Sequence, residues 1–182
     1  MAEPSPPSPW IARFAPLAPP GSPVLDLACG NGRHARLFLA RGHPVTALDR
    51  DVAGLEDIAG RQGIEIVQAD LEDGSPWPLA ERRFGAVVVV NYLWRPLFPR
   101  ILEAVDETGV LLYETFALGN EAFGRPANPD YLLRPGELLE LVRGRLQIVA
   151  YEHGCLAAPR PMVKQRICGL RSDAPAPLAP QP

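Results

Sequence analysis

Between Val24 and Leu170, short apolar runs alternate with segments of helical period. Val24-Leu25-Asp26-Leu27-Ala28 reads as a strand ended by Gly30. Arg33 to Arg41 carries apolar residues at Ala35, Leu37, Phe38, Leu39 and Ala40, and Gly42 follows, which predicts a helix with a C-terminal glycine. Further strands are predicted at Val45 to Leu48, Ile64 to Ala69, Phe84 to Val90 and Val110 to Phe116. Asp51 is placed to cap a helix from Val52 to about Gln62, and another helix is expected from about Phe98 to Val105. The β-branched run Val87 to Val90 suits a central strand buried on both faces. Pro135 to Val142 opens with proline at a plausible first helical position. Leu146 to Tyr151 and Met162 to Leu170 leave no room for the helix that a parallel crossover needs, so they predict an antiparallel hairpin at a sheet edge. The whole pattern predicts an α/β fold: a Rossmann-like, doubly wound, mostly parallel seven-stranded sheet with a C-terminal antiparallel hairpin.

Composition adds the boundaries. Of 22 prolines, eight lie from Pro4 to Pro23 and four from Pro175 to Pro182. One domain is therefore expected over 24–171, between proline-rich tails at 1–23 and 172–182 that read as extended or disordered. Trp10, Ile11 and Phe14 interrupt the first tail and suit a short helix or flap against the domain. The net charge is -3 and the basic residues do not cluster, which disfavours a nucleic-acid partner. Cys29, Cys155 and Cys168 are odd in number and no pair has metal-ligand spacing, which fits a reducing cytoplasm and calls for no metal. No apolar run approaches the roughly 20 residues that span a bilayer. Met1 to Pro9 lacks the basic and apolar regions of a signal peptide.

In a doubly wound sheet, ligands bind beyond the carboxyl ends of the strands, where strand order reverses. After the first strand come Cys29-Gly30-Asn31-Gly32-Arg33-His34-Ala35, whose glycines permit a tight turn and close approach of a ligand to the backbone. The spacing also matches the dinucleotide fingerprint. Asp26 separates the candidates, because a carboxylate beside the loop repels a pyrophosphate and attracts a cation. Asp49 ends the second strand and suits ribose hydroxyls. Asp70 ends the third, where an acid can accept from an adenine amino group while Leu71 packs on the ring. The fourth strand ends in Asn91-Tyr92-Leu93-Trp94-Arg95-Pro96, beside the expected reactive centre. Tyr92 or Trp94 could set a ring against a cation. Glu114 ends the fifth strand, and the loop from Ala117 to Arg134, with Phe123 and Tyr131, reads as a substrate lid. His34, His43 and His153 carry less information, and His153 could approach the site.

Taken together, Asp26 to Gly32, Asp49, Asp70 and Asn91 resemble the ordered motifs of class I S-adenosylmethionine-dependent methyltransferases. Ala28 departs from the glycine that is commoner at its place. The loop and its continuation Gly32-Arg33-His34-Ala35 resemble the bacterial tellurite-resistance-type branch, a likeness that leaves the substrate open. The resemblance implies S-adenosyl-L-methionine as cofactor and S-adenosyl-L-homocysteine as product. It implies cofactor contacts from Asp26, Ala28, Gly30, Asn31, Gly32, Arg33, Asp49, Arg50, Asp70, Leu71 and Asn91. Asn91, Tyr92 and Glu114 are then the candidates for catalysis, and Trp94, Arg95, Phe123 and Tyr131 for a small-molecule methyl acceptor. Three other readings compete. A nicotinamide-dependent oxidoreductase is disfavoured by Asp26 and by the lack of a Tyr-x-x-x-Lys pair. A nucleic-acid amino-methyltransferase is disfavoured by the missing prolines after Asn91 and by the acidic charge. A cofactor-binding domain without turnover is the third.

Overall fold

The computed structural model describes residues 5–176. Seven strands form one sheet: β1 (Val24–Leu27), β2 (Val45–Asp49), β3 (Ile64–Gln68), β4 (Phe84–Val90), β5 (Val105–Phe116), β6 (Gln147–Leu156) and β7 (Met162–Leu170). Their spatial order is β3-β2-β1-β4-β5-β7-β6. The first five run parallel, and β7 is antiparallel to both β5 and β6. Strand order therefore reverses between β1 and β4, and the terminal hairpin closes one edge. The helices are α1 (Pro9–Phe14), α2 (Arg33–Ala40), α3 (Phe98–Glu103) and α4 (Glu137–Val142). Among the described residues, no helix is long and apolar enough to cross a membrane.

Alternation along the central strands supplies both faces with core. Ala86, Val88, Leu112 and Cys168 pack with Trp10, Phe14 and Phe38 on one side. Val87, Val89, Leu111, Tyr113 and Ile167 pack with Ile101 and Leu138 on the other. All seven residues of β4 are buried, as its β-branched run requires.

Within the proline-rich start, which composition alone reads as extended, residues 9–17 form the short helix expected around Trp10, Ile11 and Phe14. The Ser8 side chain accepts from the Trp10 amide at 3.2 Å, and Pro9 sits in the first turn. Trp10, Ile11 and Phe14 are buried, and the indole N–H of Trp10 donates to the Ile167 carbonyl at 3.3 Å. Residues 1–4 and 177–182 of the two proline-rich tails lie outside the described residues. The helix expected after Asp51 is only a 3-10 turn at Ala53–Leu55 followed by irregular turns. Gly60 and Gly63 adopt φ of 74° and 87°, which break helical continuation. A side chain at Gly54 would meet the Asn31 backbone at 2.9 Å, so this turn is moulded onto the glycine loop. Finally, α4 starts after Pro135, with Gly136 as its cap.

Candidate functional site

A cavity of about 470 Å³ opens at the carboxyl ends of the parallel strands. Its inner half is lined by Ala28, Asp49, Arg50, Ala69, Asp70, Leu71 and Glu72, and its outer half by Asn91, Tyr92, Leu93, Thr115, Phe116, Pro126 and Tyr131. The strands β1, β2, β3 and β4 thus deliver residues at or just past their last ladder position, and β5 delivers its last two, Thr115 and Phe116, around the point of order reversal.

The glycine loop shapes the inner half. Ala28, Gly30 and Gly32 have φ of 53°, 53° and 70°. Left-handed backbone costs Ala28 about 1 kcal/mol that glycine avoids. Asp49 ties the loop to β2: its carboxylate accepts from the Gly30 amide at 2.7 Å and from the Asp51 amide at 3.0 Å. Each oxygen retains a lone pair for a ligand hydroxyl. The Asp70 carboxylate accepts from the Glu72 amide at 2.9 Å, which orients it at the cavity wall.

Asp26 does not line the cavity. It is 1% exposed, and its carboxylate accepts from the Ala35 amide at 2.8 Å, bracing the start of α2 from behind the loop. Burial pushes its pKa up to about 7. The His34 ring faces it at 4.0 Å and accepts at Nε2 from the Ser8 amide at 3.2 Å, which assigns the ring proton to Nδ1. Burial, helped by the charges of Arg33 and Lys164, lowers His34 to about 3, so its ring is neutral. Burial also pushes the Cys29 thiol well above its ordinary range, with the Asp26 and Asp49 charges adding to it, so the loop holds no thiolate. Gly30, Asn31, Gly32 and Arg33 form the loop without lining the cavity.

In the outer half, Asn91 stands at the end of β4 with φ of 59°. Its Oδ1 accepts from the Lys164 ammonium at 2.6 Å. An ammonium only donates, so the amide oxygen must face it, and the NH2 end is left as the donor. Lys164 also bonds Glu114 at 3.2 Å, and Arg166 stands 3.9 Å from the same carboxylate. Sequence reasoning missed Lys164. As the chain's only lysine, placed opposite Phe116 in the β5–β7 ladder and 73 residues from Asn91, it carried no local signal.

This network corrects one catalytic expectation. Glu114 is 4% exposed, paired with Lys164 and absent from the cavity wall, so it neutralises a buried cation and does not meet an acceptor. Arg95 is likewise engaged. Its guanidinium binds both Glu137 oxygens, at 2.6 and 3.0 Å, and the carbonyls of Asp130 and Leu132. It clamps the base of the 117–134 loop and is not a substrate group. Trp94 and Phe123 also lie outside the cavity, whereas Tyr131 lines it. His153 sits on β6, beside Lys164 and Arg166 on another depression. Tyr92 lines the cavity, but burial foremost, and the nearby Glu72 charge, raise its phenol far above the ordinary value. It stays protonated at neutral pH and is no ready base.

The fold is similar to that of S-adenosylmethionine-dependent methyltransferases. Residues 24–108 match the methyltransferase domain family. Among solved structures, TehB from Haemophilus influenzae superposes with a TM-score of 0.71 at 16% identity, over 90% of this chain. This chain spans 61% of the length of that protein. The 1,6-didemethyltoxoflavin-N1-methyltransferase of Burkholderia thailandensis, bound to its namesake compound and S-adenosylhomocysteine, gives 0.66 at 21% identity, over 90% of this chain and 76% of that one. The glycopeptide N-methyltransferase MtfA with S-adenosyl-L-homocysteine gives 0.60 at 23% identity, over 88% of both chains. None of the curated proteins matches the sequence significantly.

Proposed function

We propose that the protein transfers the methyl group of S-adenosylmethionine to a small-molecule nucleophile, in the cytoplasm. The observation that carries this reading is the wall made by Asp49, Asp70 and Glu72 beside left-handed Gly30 at the point of strand reversal. Such a wall suits a nucleoside that brings positive charge and no phosphate. When bound, S-adenosylmethionine supplies a methyl carbon already activated by its sulfonium. Asp49 would accept from the ribose hydroxyls, Asp70 would accept from the adenine amino group, and Leu71 would pack on the base. Asp26 keeps α2 in place behind the loop. Asn91 and Tyr92 bound the space between the two halves and help exclude water.

The chain's task is mainly to hold two reactants in line, which supplies about 7–11 kcal/mol in well-oriented reactions. The acceptor–carbon bond forms as the carbon–sulfur bond breaks, with the electron pair left on sulfur. Among the described residues, the outer half offers no carboxylate and no histidine as a base. The acceptor therefore brings its own lone pair or negative charge, and any proton it sheds goes to solvent.

Isothermal titration with S-adenosylhomocysteine, and separately with NAD, tests the reading. One-to-one binding of the first and no heat from the second are expected. The reverse pattern would establish a nicotinamide site instead.

A further inference from the structure

Past Phe116, Pro126 and Tyr131, the cavity continues into an outer depression lined also by Arg125, Asn128 and Arg160. Arg125 comes from the loop between β5 and α4, and Arg160 from the turn between β6 and β7. A side chain at Gly124, next to Arg125, would meet Arg160 Nη1 at 3.9 Å, and both arginines line the same depression, so two distant segments place them on one rim. Neither arginine forms an ion pair among the described residues. Both are permanently charged, and like charges gathered without a counter-ion repel until an anion joins them. The wall leading inward is aromatic: Phe116 lines both depressions, and Tyr131 is left 44% exposed. Exposed aromatic surface beside a cavity suits a ring as partner. At the inner end, Lys164 holds Asn91 with its NH2 group free to donate.

We propose that the methyl acceptor is a small aromatic acid. Its ring lies against Phe116 and Tyr131, its carboxylate is held by Arg125 and Arg160, and its nucleophilic atom points toward Asn91. This rests on the methyltransferase reading and names the acceptor class for that site. A forked guanidinium matches a carboxylate in two parallel bonds, which a neutral amide cannot reproduce.

The test uses the full chain saturated with S-adenosylhomocysteine and two matched probes, para-mercaptobenzoate and para-mercaptobenzamide. Binding is read by calorimetry and by saturation-transfer NMR. The carboxylate is expected to bind about tenfold more tightly than the amide. The double substitution Arg125→Gln/Arg160→Gln, at exposed positions, is expected to erase that advantage without changing affinity for S-adenosylhomocysteine. Equal affinity for the probes, binding of neither, or an advantage that survives the substitutions overturns the proposal. Failure to take up S-adenosylhomocysteine at all is a separate result, and it removes the methyltransferase reading together with the acceptor that depends on it.

Discussion

The two ends of the cavity are built on opposite electrostatic plans. The inner half is acidic and backbone-braced: Asp49 and Asp70 each accept amide hydrogens from their own turns, so their carboxylates are fixed before any ligand arrives. The outer half is aromatic and carries no charged side chain, and the depression beyond it is cationic, with charges from segments far apart in the chain. A preset acidic wall draws a positively charged nucleoside, and a cationic rim draws an anionic partner. Each end also repels the other's ligand, so the polarity of one cavity sorts two reactants into order.

The strongest way to break this contrast is at Lys164. Lys164→Met leaves Glu114 buried with only a distant Arg166, which should cost about 3 kcal/mol of stability in denaturant unfolding. Adding Glu114→Gln should return most of it. Equal stability of the single and double variants would show that the pair carries no buried charge. The inner half is tested next by Asp49→Ala, which removes an acceptor of two amide bonds and the proposed ribose acceptor. Affinity for S-adenosylhomocysteine should fall roughly ten- to hundredfold by calorimetry, about 1.5–3 kcal/mol. Unchanged affinity would move the ribose elsewhere.

A third, smaller effect lies in pH. Asp26, at about 7 against an ordinary 3.8, favours the fold as the neutral acid, an advantage complete below 3.8 and lost as pH rises through about 7. His34, at about 3 against 6.5, favours the fold as the neutral ring, an advantage present above 6.5 and lost as pH falls toward 3. The two slopes oppose each other between 3.8 and 6.5. Asp26→Asn should therefore expose a drop in Tm on acidification, and His34→Gln a drop on raising pH from acid to neutral. Parallel profiles for both variants would contradict this pairing. The smallest expected change is Ala28→Gly, which relieves a left-handed alanine and should stabilise by up to about 1 kcal/mol. A loss in thermal denaturation would mean that Ala28 is held there by its side-chain packing.

The inner half was legible in the sequence because each strand and its terminal acid lie within a few residues of each other. Alternation and turn glycines placed Asp49, Asp70 and Leu71 at one sheet edge without long-range information. The outer half was legible in the same way only at Asn91 and Tyr92, and through its loop at Tyr131. Nothing local in Glu114 or Arg95 shows that Lys164 and Glu137 consume their charges, because those partners arrive by strand pairing and loop closure 50 and 42 residues away. Asp26 misled for a related reason: a short side chain on a fully buried strand turned to the α2 backbone and not to the cavity. Near the N-terminus, the spacing of Trp10, Ile11 and Phe14 was legible as a short helix, while its Ser8-Pro9 cap was masked by the surrounding prolines.

Diffraction from crystals grown with S-adenosylhomocysteine tests the central claim most directly. The account predicts ribose hydroxyls on the Asp49 carboxylate and the adenine between Leu71 and Asp70. A nucleoside bound away from these three residues, or a cavity that stays empty at saturating ligand, would contradict it.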